Sequence, residues 1–406
     1  LAWFVVHVPI TPRLAQVAQL GVALGAFAGL VGYRPRLAMG AVTLFGFYTF
    51  ALSQLDGAVL HDMHLLWFAA ILAVSPCADA LTLTERGWGP PYARSAAYSL
   101  PLAVVRALFA AVYFFPGAWK LRQSGLSWAL SDNLRNQMYA KWFEWGGWLP
   151  PVRIDEHPLV LRTAALSVLV FELGFPLLML GRRTRVMAAL GGLAFHWGGA
   201  IFLRIHFAGL WLCYVALIDW GPIVDRIRSF RDGRSRALPG RGRDQEAPAS
   251  EVTRARGTQA PVAWVGALLV GAALVQGMRG ATFAWPFGCY PTFQWRATTT
   301  LPDLELEALF DDGRSVVIDS GGDGRGRPQS GWATVWSLAG IAHAPRSARA
   351  LRVYWNRVDH AQARGAVRGS VALVTWSVLP EDRSRPPLSK QVIATFALDV
   401  QSGAAL

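Results

Sequence analysis

Between Leu14 and Met278 the sequence is a succession of long apolar runs, separated by short polar or basic pieces. A run of ~20 apolar residues is what an α-helix needs to cross the hydrocarbon core of a bilayer. Spans are predicted at 14–33, 36–54, 63–78, 98–119, 159–181, 186–203, 206–222 and 262–280. The third and seventh are short, as tilted, buried or re-entrant segments are. The fold class that follows is mainly α, a polytopic transmembrane helix bundle. Composition agrees: only 16% of the 406 residues are charged, against ~25% in a usual soluble protein. The 18 Trp suit a chain with water–lipid boundaries.

The net charge of +13 invites a nucleic-acid reading. Its distribution argues against one, because many basic residues flank apolar runs, where they orient helices. Arg34 and Arg36, Arg86 and Arg94, Arg182, Arg183 and Arg185, and the nine arginines of 225–260 all fall on one side of the predicted spans. The positive-inside rule makes that side cytoplasmic. The stretch 223–260 then reads as a basic cytoplasmic loop, and 261–281 as a final span. The loops 55–62 and 121–158, and the chain after 282, are placed outside. Arg122, Arg135, Lys141 and Arg153 run against this order. Within 121–158, Trp128–Trp148 reads either as a helix lying along the outer surface or as an ordinary loop with boundary aromatics. The chain begins at Leu1, and an N-terminal span is expected to be missing.

After residue 290 the pattern changes. Asp311-Asp312-Gly313 separates the apolar runs Leu304–Phe310 and Val316–Ile318, as a hairpin turn does. Leu351–Trp355, Val371–Leu379 and Val392–Leu398 also read as strands. Residues 282–406 are therefore expected to form a smaller β-rich domain outside the membrane. Cys77 and Cys213 read as packing residues. Cys289 lies on the expected outer side, and the three cysteines match no metal-binding spacing.

An ionisable residue inside a span is costly and marks a candidate functional position. Arg106, Glu172 and His196 each lie roughly eight to ten residues from the expected cytoplasmic end, so at ~1.5 Å per residue they share a depth. An Arg106–Glu172 ion pair beside His196 would offset the burial cost; equally, such a pair only fixes packing. A second group, His61, His64, Lys120, Arg204 and His206, sits at the opposite ends of the spans. His61 and His64 share a helix face but have no third ligand, so no metal is expected. From spacing alone, Lys120 reads as a boundary lysine.

One stretch resembles a known family. Tyr113-Phe114-Phe115-Pro116-Gly117-Ala118-Trp119-Lys120-Leu121, followed by Trp128, is similar to a signature of the vitamin K-dependent gamma-carboxylase family, which includes bacterial members with an HTTM (horizontally transferred transmembrane) domain. His61-Asp62-Met63-His64-Leu65-Leu66, Glu172-Leu173-Gly174-Phe175-Pro176 and Phe195-His196-Trp197 follow the same family's pattern, and the likeness covers about residues 14–222. It implies a lyase-class, carboxylase-like enzyme of a bacterial plasma membrane, using a reduced quinone. Lys120 would be the base, His61 or His64 would assist, and Tyr113, His196 and Arg204 would line the quinone site. Lysine serves as a base only when neutral, which requires desolvation or nearby cations; Arg122 and Arg204 are the expected cations. The substrate would be a protein or peptide glutamate. Pro116 stands where the family has a small residue, and the C-terminal region does not resemble the animal enzyme's substrate-binding domain. Two other functions remain open: a scaffold or lipid-binding protein whose outer domain recruits a partner, and a transporter with a broken pair at 186–203 and 206–222.

Overall fold

The computed structural model of the chain describes residues 7–55, 62–79, 82–83, 96–223, 226, 249–280, 284–288, 293–318, 352, 355–356 and 361–401. His61, Cys289, the Gly/Arg-rich stretch 319–329 and most of the basic loop lie outside the described residues.

The helices are α1 Pro12–Leu30, α2 Pro35–Leu55, α3 Met63–Val74, α4 Ala96–Ser124, α5 Ser127–Leu130, α6 Asn133–Glu144, α7 Pro158–Leu178, α8 Arg182–Leu203, α9 Ala208–Cys213 and α10 Ala249–Arg279. Six of them, α1, α2, α4, α7, α8 and α10, are long and apolar enough to cross a membrane. Local signals set several ends. Thr11 caps α1 by accepting from the Leu14 N–H at 3.2 Å, and Pro12 follows at the first helical position, where its missing N–H costs nothing. The seventh expected span is only α9 with a 3-10 turn, Tyr214–Leu217. The basic loop is shorter than expected, because α10 already begins at Ala249.

Two cores hold the helices together. One joins α3, α4 and α10 through Met63, Trp67, Leu108, Leu269 and Ala273. The other joins α4, α7, α8 and α9 through Phe109, Tyr113, Phe175, Ala188, Leu210 and Tyr214. Several tryptophans are struts inside the fold rather than boundary residues. Trp67, Trp128 and Trp142 are buried, and their indole N–H groups donate to the carbonyls of Pro286, Phe293 and Phe202 at 2.7–2.8 Å. A buried N–H left without an acceptor would cost ~1–3 kcal/mol. Trp197 and Trp264, by contrast, are exposed.

The C-terminal region forms a four-stranded antiparallel sheet, ordered β2-β1-β3-β4, from β1 Thr300–Phe310, β2 Ser315–Val317, β3 Ala366–Ser377 and β4 Ser389–Ala397. The expected hairpin joins β1 to β2, with Gly313 at φ +80°, a conformation that favours glycine. Leu304, Leu306 and Ala308 alternate onto one face, where they meet Val371, Phe396 and Leu398, as a period of two requires. The expected strand Leu351–Trp355 is corrected: Arg352 and Trp355 are helical, and Trp355 fills the sheet core. A short apolar run with valine and tyrosine carries no signal that separates strand from a helical turn.

Residues 127–144 are also corrected. They form α5 and α6, and α6 is buried on both sides rather than lying along a surface. Met138 and Trp142 pack on Leu161 and Phe202 of the helical region. Ala140 and Phe143 pack on Leu301 and Val378 of the sheet, with Phe143 and Trp376 rings 6.0 Å apart. The Arg383 guanidinium donates to the Gly147 carbonyl.

Candidate functional site

Where α4, α7 and α8 meet under α6, they enclose a cavity of about 520 Å³. That is within the ~300–1,000 Å³ of small-molecule sites. Its walls are mostly apolar, including Val112, Phe171, Phe195, Phe202, Leu210 and Phe293. Five buried polar side chains interrupt them: Tyr113, Lys120, Gln137, Glu172 and His196.

Lys120 and Glu172 form one pole. Lys120 Nζ lies 2.5 Å from Glu172 Oε1, with the two side chains only 3% and 4% exposed. Lys120 Nζ is also 4.9 Å from the centre of the Trp128 ring, a distance at which a cation is attracted to the ring face. Gly117 permits the approach of α7, because a Cβ there would sit 2.8 Å from the Cβ of Glu172. Glu172 Oε2 is buried and accepts no hydrogen bond among the described residues. A buried charge is stabilised only when well paired and fully hydrogen-bonded. This carboxylate therefore retains acceptor capacity in the cavity wall.

Tyr113 and His196 form the other pole. Tyr113 precedes Lys120 by two helical turns, ~10.5 Å along α4 and on the same face. Its hydroxyl is 2.6 Å from His196 Nε2 and also hydrogen-bonds the Tyr214 hydroxyl. The Tyr113 ring stacks on Phe175 with centroids 4.2 Å apart. Between the poles, Pro116 lines the cavity beside Val112. As a proline it cannot supply the usual helical donor to the Val112 carbonyl.

The expected Arg106–Glu172 pair does not form. Arg106 Nε donates to the Ala216 carbonyl at 3.3 Å, and Lys120 takes Glu172 instead. Helix ends explain the difference. Arg106 lies ten residues from the start of α4, Glu172 six from the end of α7, and His196 fourteen from the start of α8. These three positions do not share a depth.

Of the other sequence-predicted site residues, His64 is buried in α3 and packs edge-on against Phe68, 5.5 Å away. It is not among the cavity-lining residues. Arg204 is corrected as a lining residue. It ends α8 in a left-handed conformation, φ +52°, is exposed, and places its guanidinium 5.0 Å from the rings of both Trp145 and Trp148. His206 is exposed as well. Arg122 is exposed over Trp119 at 4.8 Å. The cations expected to neutralise Lys120 are thus engaged elsewhere, and its neighbour is an anion.

Sequence reasoning missed Glu172 as the partner of Lys120, and missed Gln137 as a lining residue. Gln137 donates to Asn133 Oδ1 at 3.1 Å, and the same oxygen accepts from the Ala297 N–H at 2.8 Å. Nothing in the sequence marks that polar network, since its partners are 164 residues apart.

A second buried charge holds the site's cover in place. Arg153 donates twice to Asp155, at 2.8 and 2.7 Å, and the Tyr139 hydroxyl of α6 donates to Asp155 at 3.0 Å. Burial opposes ionisation of Asp155, but these hydrogen bonds outweigh it and hold the carboxyl below the ordinary aspartate range. Burial, with the bond to Asp155, pushes the Tyr139 hydroxyl up to about 12.

Comparison with known proteins yields no match: no family model, no curated protein and no solved structure corresponds to the chain.

Proposed function

We propose that the chain is a polytopic membrane protein that binds a reduced quinone, or a similar hydroxyl-bearing amphipath, in the cavity between α4, α7 and α8, with Lys120 as the base. The observation that carries this reading is the buried Lys120–Glu172 pair set in an otherwise apolar wall. The donor set suits such a ligand. Aromatic walls accept a planar ring, Glu172 Oε2 can accept from a hydroxyl, and Tyr113 with His196 offers a second polar contact two turns away. A reduced quinone would supply the hydroxyl proton and the reducing electrons. Lys120 and Glu172 can share one proton between Nζ and Oε1, and the pair stays neutral overall in either form. With the proton on Glu172, Lys120 Nζ holds a lone pair for a ligand proton. The apolar walls exclude water, which strengthens these contacts.

The finer reading is a carboxylase-like reaction, with oxygen and carbon dioxide as co-substrates and a protein or peptide glutamate as acceptor. It rests on the motif resemblance. The arginine distribution favours placing the sheet outside a bacterial plasma membrane. The alternative of a scaffold draws support from the seam between α6 and the sheet, which would pass a partner's contacts to the cavity cover.

The test is equilibrium binding of a reduced short-chain naphthoquinone to the protein in nanodiscs. Lys120→Met should weaken it roughly tenfold to a hundredfold, matching the ~1.5–3 kcal/mol of a hydrogen bond to a charged group. Equal binding by folded wild type and variant would remove the assignment and favour the scaffold.

A further inference from the structure

The cavity's lining includes two residues that are also on the exposed stripes of their helices. Along α7, Thr163, Ser167 and Val170 are exposed, and along α8, Leu190, Ala194 and Trp197 are exposed. Each set follows the i, i+4, i+7 spacing of one helix face. Ser167 and Ala194 nevertheless line the cavity. A residue that faces both ways marks an opening. Both side chains are small, and so are their cavity-lining neighbours Ala164, Gly191 and Gly198. A Cβ at Gly198 would meet nothing within 4 Å, so open space continues behind the gap.

The depth of the gap identifies what passes through it. Ser167 is nine residues from the start of α7, and Ala194 is nine from the end of α8. At ~1.5 Å per residue that is ~13 Å from the helix ends, about half of a ~30 Å hydrocarbon core. Resting on the membrane reading above, the gap opens toward lipid tails rather than water. Water-soluble ligands have no access at that level, whereas a molecule dissolved in the bilayer arrives there directly.

We infer that the α7–α8 gap is a lateral portal, and that the ligand is a membrane-dissolved amphipath whose head lies at Lys120–Glu172 while its hydrocarbon tail lies between Ser167 and Ala194. The tail is an isoprenoid or acyl chain, since the gap offers no charged side chain to hold anything else.

The test compares two probes on the protein in nanodiscs: a reduced naphthoquinone with a long isoprenoid chain, and the same ring with a methyl group in its place. Ala194→Phe and Ser167→Phe, combined, should weaken the long-chain probe by about tenfold or more, while the methyl probe changes by less than about threefold. Leu190→Phe, one turn away on the exposed stripe, should change neither probe and controls for the added ring. Equal weakening of both probes would mean that the substitutions deform the cavity, and no weakening of either would place the entrance elsewhere; each overturns the portal. If wild type binds the methyl probe but not the long-chain one, the portal fails while the cavity reading stands. If wild type binds neither, the cavity reading itself fails.

Discussion

Asp155 and Glu172 are both buried against a cation, yet their surroundings differ. Asp155 takes two N–H groups from Arg153 and the hydroxyl of Tyr139, using both carboxylate oxygens. Glu172 receives one bond, from Lys120, and its Oε2 accepts none among the described residues. Asp155 lies between α6 and α7 and is not itself among the cavity-lining residues, although its neighbour Ile154 is, whereas Glu172 and Lys120 line the cavity. The contrast separates a structural charge from a candidate working one. A saturated carboxylate fixes geometry. An under-saturated one beside empty volume has bonding capacity that a ligand can use.

The largest expected effect breaks the working pair. Glu172→Gln or Lys120→Met alone should cost about 3–5 kcal/mol of stability, because each leaves the other group buried without its partner. The double variant should recover most of that loss in a thermal or denaturant melt, as coupled neighbours do. It should not recover quinol binding. Recovery of binding together with stability would assign the pair a packing role only.

Next comes the seam between cavity cover and sheet. Phe143→Ala removes a buried ring from the contact with Trp376 and should cost about 3 kcal/mol. Hydrogen exchange would show faster opening in α6 than in α1.

The saturated clamp gives a pH signature. The Asp155 carboxyl is held below its ordinary value of 3.8, so its contribution is complete above about pH 4 and is lost as pH falls through the lowered value. Tyr139 is raised from 10.0 to about 12, so its contribution is present below about pH 10 and fades as pH rises toward 12. Asp155→Asn should cost about 2 kcal/mol at pH 7 and flatten the acid limb of a stability–pH curve. An unchanged acid limb would show that the clamp does not hold the cover.

The smallest effect is expected at Arg204. Its stacking on two tryptophans is exposed, and Arg204→Ala should cost about 0.5–1 kcal/mol with ligand binding unchanged. A tenfold loss of binding would restore it to the site.

The six long apolar helices were legible because hydropathy over ~20 residues reports the solvent a helix prefers. The β1–β2 hairpin was legible because Asp311-Asp312-Gly313 specifies a local turn. Pairings between helices were not. Lys120 and Glu172 meet because Gly117 lets α7 approach, and that depends on how two helices are offset. A depth estimate from run ends shifts with every misplaced boundary, which is how Arg106 was matched to Glu172. His196 and Lys120 entered as polar residues set in or at the ends of apolar runs, Tyr113 entered through the motif resemblance, and the structure gathers all three around one cavity. Arg204 entered, like Lys120, from its place at the end of a span, and it is not among the residues lining the cavity. Gln137 carries no sequence signal, since a glutamine on a polar helix looks solvated until the linker at Ala297 is seen beside it.

The most direct measurement is mass spectrometry of the small molecules that copurify with nanodisc-embedded protein, comparing wild type with Lys120→Met and Glu172→Gln. Wild type should retain a quinone or related hydroxyl-bearing amphipath in near-stoichiometric amount, and both folded variants should lose most of it. The same amphipath, retained equally by all three proteins, would contradict a working role for the Lys120–Glu172 pair.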